Sequence, residues 1–140
     1  MIAQRPIVDR LGAAGFRTVE GILEWAGLTD PPRALPALFV VPEAEDAQPN
    51  RLATGMIDQA VSETFGVIVV VGARARGPGQ VDDQLKDVTD RVRDALLGWR
   101  HPEASRPAEF AGGRLLSADG YRVAWLVRFR ISLHLRKESQ

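Results

Sequence analysis

The sequence contains no cysteine among its 140 residues, which excludes disulfide bonds, thiolate nucleophiles and zinc–thiolate sites together. Only two histidines are present, and we interpret His101 as a loop residue and His134 as a solvated strand residue, since neither lies near carboxylates at metal-ligand spacing. No serine lies in a Gly-x-Ser-x-Gly turn. The net charge is zero, with 18 basic and 18 acidic residues, so no overall field favours nucleic acid. The sequence therefore predicts a protein that is not an enzyme and uses no cofactor or metal.

Long hydrophobic runs are also missing. The longest uncharged apolar segment, residues 65–73, is about half the length that a membrane helix requires. The first residues lack the apolar stretch of a signal peptide. We therefore expect a soluble chain without membrane contact. The composition, 45% hydrophobic and 26% charged, is typical of one globular domain, which we place over residues 1–140.

The apolar pattern predicts an α+β fold. One helix is indicated by a stripe at helical spacing, with Asp82 and Asp83 in its first turn; the stripe consists of Val81, Leu85, Val88, Val92, Ala95, Leu96 and Trp99. Short helices are expected at 6–14 and at 22–28, the second of which buries Leu23, Trp25 and Leu28. Strands are expected at 16–21, 37–41, 59–71, 109–117 and 121–136. Together these elements predict one mostly antiparallel sheet with helices packed on one face.

The two longest predicted strands are too long for a compact chain of this size. Such a chain is roughly 37 Å across. Residues 121–136 would reach about 53 Å and residues 59–71 about 43 Å at the usual rise of a strand. Either these strands bend at a bulge within a self-contained sheet, or they project to neighbouring subunits of the same protein. We favour projection, because exposed apolar strand edges otherwise invite aggregation.

Charged residues in three segments are the candidate partner contacts. The predicted 42–55 loop is acidic, with Glu43, Glu45 and Asp46. The last strand carries arginines on the face opposite its aromatic residues, namely Arg122, Arg128, Arg130 and Arg136. Because the two have opposite signs, the loop is either a docking surface for a basic neighbour or simply solvated. The arginine face is alternatively a nucleic-acid surface, although it lacks interleaved aromatic residues.

A glycine-rich loop at residues 72–80 precedes the long predicted helix. It lacks the Gly-Lys-Ser/Thr ending of a phosphate-binding loop, and two aspartates follow it. A turn-rich connection is the simpler interpretation. Its Arg74 and Arg76 are candidate contacts to an acidic partner.

Four strings in this order resemble the tail terminator proteins of long-tailed bacteriophages. The strings are Asn50-Arg51-Leu52-Ala53-Thr54-Gly55, residues 59–67 (QAVSETFGV), Leu96-Leu97-Gly98-Trp99-Arg100 and residues 111–116 (AGGRLL). The resemblance covers nearly the whole chain and is weakest over residues 17–36.

The resemblance implies a small α+β virion protein that forms a homohexameric ring, has no active site and is assembled in the host cytoplasm. Its implied partners are further copies of itself, the tail tube protein and a head-side connector, with genomic DNA only passing through the lumen. On this basis the polar contacts to test first are Arg51, Arg74 and Arg76. A head-completion or neck adaptor of the same particle is one alternative, and a nucleic-acid-binding module is the other.

Overall fold

A computed structural model describes residues 1–27, 35–73 and 78–138. Within these residues, three helices and five strands follow one another as α1 (Arg5–Ala13), β1 (Thr18–Glu20), α2 (Ile22–Ala26), β2 (Ala37–Ala47), β3 (Ile57–Gly72), α3 (Pro78–Leu96), β4 (Glu109–Ala118) and β5 (Arg122–Lys137). The strands form one sheet in the order β1-β2-β3-β5-β4, in which only the β1–β2 pair is parallel. The predicted α+β class with a mostly antiparallel sheet is confirmed.

The long antiparallel pair of β3 and β5 is the centre of the sheet. Each strand has 16 residues, and they pair without a register shift from Ile57 opposite Lys137 to Gly72 opposite Arg122. Valine, isoleucine and aromatic residues dominate both strands, as their β-branched and flat side chains favour a pleated surface. The expected overlong strands are therefore present, and no bulge shortens this pair.

The main core lies between one face of the sheet and the helices α1 and α3. Alternate residues of β3 and β5 point to this face, and the rings of Phe65 and Phe129 stack there with centroids 5.6 Å apart. The predicted stripe of α3 packs on it through Val88, Val92 and Leu96, which are almost completely buried. The alternation in the last strand thus identified the core face correctly.

The opposite face of the sheet has a second, smaller core, and this corrects the prediction that all helices lie on one face. Here Trp25 of α2 packs on Phe39, with ring centroids 5.4 Å apart. The prediction that Leu23 is buried is wrong, because its side chain is 81% exposed on this five-residue helix. Leu28 lies outside the described residues.

Strand β2 is much longer than predicted. The expected strand ended at Val41, whereas the observed one continues to Ala47 by pairing with β3, where Ala47 lies opposite Val61. A bulge between Pro42 and Ala44 interrupts this pairing. Glu43, Glu45 and Asp46 therefore lie on a strand and not on the predicted loop, since the pairing available along β3 outweighs their low intrinsic strand preference.

Helix α3 also differs from the prediction at both ends. It begins at Pro78, so Asp82 and Asp83 lie beyond its first turn. The prediction that these two aspartates lie within the first turn is therefore wrong. The helix ends at Leu96, and Trp99 lies in the following segment, half-buried, with its ring 5.7 Å from that of His101. Proline fits the start of a helix because the first turn needs no N–H donor.

The sheet narrows to three strands at one end. Strand β1 pairs only with Ala37–Phe39 of β2, and β4 pairs only with residues 123–130 of β5. Beyond them β2, β3 and β5 continue alone. We call this part the arm: residues 44–47, 57–63 and 131–137, with the connecting segment 48–56. Along its β5 edge, the backbone N–H and the hydroxyl of Ser105 both donate to the carbonyl oxygen of Ser132, at 2.9 and 3.0 Å.

Replacing Phe129 by alanine should remove a large part of the stability of the fold. The ring is fully buried between Phe65 and Phe110, so Phe129→Ala should lower the free energy of unfolding by about 3–5 kcal/mol. Urea unfolding followed by circular dichroism measures the change. The exposed Leu23→Ala is the control and should stay within about 0.5 kcal/mol of the unchanged protein. Equal effects of the two substitutions would contradict the assigned core.

Candidate partner-binding surface

The connection at the end of the arm is closed by the side chain of Asn50. Its Oδ1 accepts hydrogen bonds from the backbone N–H groups of Leu52 and Asp58, at 3.3 and 2.9 Å. Its Nδ2 donates to the carbonyl oxygens of Leu52 and Met56, at 3.1 and 2.9 Å. A short amide side chain can bond to nearby backbone in this way, which makes asparagine a common residue of tight connections. Asn50 thus gives the segment 48–56 a defined shape.

Asp58 is a buried carboxylate surrounded by basic groups of the arm. It is only 5% exposed, and Arg51 Nε donates to its Oδ2 at 2.6 Å. His134 Nδ1 lies 3.2 Å and Arg136 Nε 3.7 Å from its Oδ1. The hydrogen bond from Arg51 is the main cause that lowers the pKa of Asp58, against the opposing effect of burial. These contacts join β3, β5 and the connection at the end of the arm.

A second buried carboxylate, Glu63, holds the first residues of the chain against the sheet. Its two oxygens accept from the backbone N–H of Ile2 at 2.9 and 2.7 Å. Burial raises the pKa of Glu63, although these hydrogen bonds act in the opposite direction. Glu45 Oε2 lies 2.8 Å from the amino group of Met1, and this contact lowers the pKa of Glu45.

His101 and its neighbour Glu103 also bind the N-terminal segment, at Ala3. His101 is fully buried, and its Nδ1 accepts from the backbone N–H of Glu103 at 3.0 Å. Its Nε2 must then carry the proton of the neutral ring, and it donates to the carbonyl oxygen of Ala3 at 2.8 Å. The Glu103 carboxylate accepts from the N–H of Ala3 at 2.8 Å. Both polar atoms of the ring are satisfied, so His101 serves the fold.

The arginine row of β5 is present, and part of it is neutralised within the chain. Arg128 Nε donates to Glu43 Oε2 at 2.8 Å, so the opposite charges seen in the sequence meet inside one subunit. Arg130 is exposed and, in the part of the chain that the structure describes, has no ion-pair partner. Partner contact by Glu43, Glu45, Arg51 and Arg128 stays a prediction, as each of them already has a partner in its own chain.

A shallow depression of about 580 Å³ lies on the polar side of the arm. Ala60, Ser62 and Ser132 are among the small residues that line it. The charged side chains of Asp46, Arg106 and Arg136 and the imidazole of His134 also line it. Small, polar and charged residues of both signs suit contact with a polar segment of another protein. Asp46 is thus a predicted contact residue that lines this depression.

The predicted contact residues do not form a single cluster. Arg51 lies at the end of the arm, Asp46 lines the depression, and Glu45 lies beside the start of the chain. Arg74 and Arg76 lie outside the described residues. Within residues 1–27, 35–73 and 78–138, no group of three His, Asp or Glu side chains is arranged to hold a metal ion. In the same residues, no helix is both long and apolar enough to span a membrane.

Sequence reasoning missed the residues that organise the arm. Asp58 received no role, and the interpretation of His134 as a solvated strand residue overlooked its contact with Asp58. The interpretation of His101 as a loop residue missed its complete burial. One signal was available for Asp58: it directly precedes the strand-like segment 59–71, seven residues after Arg51, and a carboxylate in such a place needs a partner if it is buried.

Acid should weaken the end of the arm through Asp58. Because its pKa in the folded protein lies below the ordinary value, its stabilising effect is complete above about pH 4 and is lost as the pH falls through the lowered pKa. Asp58→Asn should therefore lower the melting temperature at pH 7, with a difference from the unchanged protein that shrinks towards pH 2. Thermal melts across this range measure it.

Glu63→Gln is the matched control for Asp58→Asn, because the pKa of Glu63 is shifted in the opposite direction. A raised pKa means that the ionised form of Glu63 destabilises the folded protein. The melting temperature of Glu63→Gln should therefore rise relative to that of the unchanged protein as the pH rises through the titration of Glu63. A constant difference for Asp58→Asn at all pH values would show that its carboxylate is not stabilised by the basic groups around it.

Comparison with known proteins gives one result for function. The family model described as phage tail terminator protein matches residues 1–140. Comparison with curated proteins gives no significant match. The match confirms the resemblance seen in the sequence, and it supports a structural role in the phage tail. From the matched residues, which are the whole chain, it follows that this protein belongs to the phage tail terminator family.

Proposed function

We propose that copies of this chain close into a ring, of six subunits, that caps the head-proximal end of the tail tube. The observation that carries the proposal is the family match over the whole chain. Two features of the fold support it: a sheet with a narrow arm, and apolar side chains at the end of that arm that remain exposed in one subunit. The ring would assemble in the host cytoplasm and remain at the head-proximal end of the tail in the virion.

The mechanism that follows is competition for a surface. A ring bound to the last disc of the tube occupies the site where the next tube subunit would add, and its far side offers that subunit no equivalent site. Growth therefore stops, and the far side is left for a head-side connector. A head-to-tail contact closes into a ring when its rotation divides the circle evenly. No chemical step is needed, and this agrees with a family of structural proteins.

The polar side of the arm is the surface that we assign to the tube or the connector. Arg130 and the depression with Asp46 and Arg106 supply charges of both signs without a large apolar area. Surfaces of this kind bind specifically through electrostatic complementarity and well-placed hydrogen bonds. Arg74 and Arg76 are further proposed contacts on the sequence alone.

Nucleic-acid binding is the weaker alternative. Of the arginines on β5, Arg128 is already paired with Glu43, and Arg136 lies near Asp58. The aromatic residues Trp125 and Phe129 of the same strand belong to the other face, where they pack in or against the main core. The face therefore lacks the stacking groups on which single-stranded nucleic acid binds. Genomic DNA is accordingly proposed only to pass through the lumen.

Electron microscopy of growing tail tubes tests the proposed capping. Tube protein of the same particle should assemble into tubes of uncontrolled length alone, and into shorter tubes with one ring-shaped end when this protein is added. Tubes of unchanged length without added density at their ends would contradict the proposal. Density at a purified portal or neck complex instead of the tube would favour the head-completion alternative.

Charge reversal at Arg130 tests the assigned polar surface. Arg130→Glu should leave the melting temperature unchanged, because the side chain is exposed, and should weaken binding to tubes in a pelleting assay at moderate salt. Arg17→Glu, at an exposed site next to β1, is the matched control and should bind like the unchanged protein. Equal binding by both variants would remove Arg130 from the contact surface.

A further inference from the structure

The apolar face of β3 and β5 continues beyond the core and ends uncovered. Val61 and Ile131 are buried on this face, but further along the arm Ile57 is 36% and Leu135 is 50% exposed. Met56, next to Ile57, is 42% exposed. A contiguous group of exposed apolar side chains at the end of a core face indicates a contact surface.

A groove lies on the same face at the opposite end of the sheet, between the first half of α3 and the β4–β5 pair. It consists of two neighbouring cavities of about 220 and 170 Å³, which share Thr89 and Trp125. Leu85 lines the first cavity, and Phe110, 43% exposed, lines the second. The predicted stripe of α3 is thus only half-covered at its N-terminal end.

Glycine on β4 gives this groove its floor. A Cβ at Gly113 would lie 2.9 Å from Trp125 Nε1 and 3.0 Å from the carbonyl oxygen of Leu126, closer than ordinary packing allows. The absence of a side chain at Gly113 therefore lets the indole of Trp125 lie close to the edge strand, where it lines both cavities of the groove. The groove is a shaped surface, and it is open to a group from outside the subunit.

The end of the arm is basic, and the first half of α3, which forms one wall of the groove, has an excess of acidic residues. The α3 segment 78–90 contains one lysine and four aspartates, namely Asp82, Asp83, Asp87 and Asp90. Lys86 and Arg93, which line the groove, both pair with Asp90, at 2.6 and 3.0 Å. Asp82 also lines the groove and has no ion-pair partner among the described residues, and Asp83 and Asp87, outside the lining, have none there either. The end of the arm presents Arg51, Arg136 and Lys137. Opposite charge around an apolar contact favours and orients association.

We propose that the end of the arm of one copy docks into the groove between α3 and β4 of the next copy, with Leu135 and Ile57 against Trp125 and Leu85. Trp125 and Leu135 are ten residues apart on β5, about 33 Å along a strand, so one subunit cannot fill its own groove. The two surfaces differ, and such a contact runs head to tail and can close a circle. The inference rests on the proposed ring and assigns the residues that join its subunits.

Disulfide trapping tests this contact, because the natural chain contains no cysteine. The variant Asp82→Cys with Leu135→Cys places one thiol in the groove wall and one at the end of the arm, both on exposed side chains. A disulfide needs Cα atoms within about 7 Å, which excludes a link inside one chain. Mild oxidation of the full-length protein should give a ladder of covalent oligomers that ends in a closed ring.

The matched control is Asp94→Cys with Leu135→Cys, which moves the first thiol to the other end of the same helix. This pair should give no ladder. Leu135→Glu should shift the mass measured by light scattering from the ring to the monomer. Leu23→Glu, at an exposed site outside both surfaces, should leave the mass unchanged.

The outcomes separate this contact from the proposed capping of tubes. Dimers formed by Leu135→Cys alone would mean that two arms meet each other, which overturns the inference. The inference is also overturned if the unchanged protein is a monomer. It is overturned as well if the Leu135→Glu variant still forms rings and the variant with Asp82→Cys and Leu135→Cys gives no ladder. In each of these cases the tube assay still tests capping independently. A ladder from rings that do not shorten tubes would uphold the contact and contradict the proposed function.

Discussion

The unbroken pairing of β3 with β5 is the constraint on which the rest of this structure depends. Sixteen residues of each strand stay in register, and β2, β4 and α3 are placed directly against this pair. The β3–β5 pair is longer than the part of its apolar face that α1 and α3 cover. The covered part of that face forms the main core, and the remaining part is exposed. The position of the arm follows directly from this difference in length.

Charge within the subunit is used mainly to shape the arm. Asp58 contacts Arg51, His134 and Arg136 within the arm. Glu43 pairs with Arg128 next to it. A buried carboxylate with several basic neighbours is costly to separate from them, because the charge would lose both water and partners. The arm can therefore keep its shape as an extension of three strands, which a hairpin without such contacts would not do readily.

Much of the fold could be predicted because apolar residues recur in the sequence with the clear periods of a helix and of a strand. The stripe from Val88 to Leu96 and the alternation from Val123 to Ile131 identify both layers of the main core. The extension of β2 could not be predicted in this way, since Glu43 to Asp46 have little strand preference and gain their structure from pairing with β3. A segment with little structural preference of its own adopts the structure that its spatial neighbours impose, and a single sequence does not show which residues those neighbours are.

The candidate surface was less predictable for a related reason. Arg128 and Arg130 were identified by their spacing, but their different surroundings depend on Glu43, 85 positions away from Arg128. His101 contacts Ala3 across 98 positions, and His134 contacts Asp58 across 76. Such polar contacts leave no periodic trace. The apolar residues at the end of the arm were recognised only as part of a strand that is too long.

Three of the strands at or near the margins of the sheet carry interruptions. Strand β2 has a bulge beside Pro42, β4 has two, and Ser105 occupies the carbonyl of Ser132 on the margin of β5. Each removes or displaces backbone groups that a foreign strand would need in order to add. A margin that accepted foreign strands would let copies of the chain add edge to edge and form fibres. These small irregularities therefore oppose the addition of strands to the interrupted parts of the sheet margin.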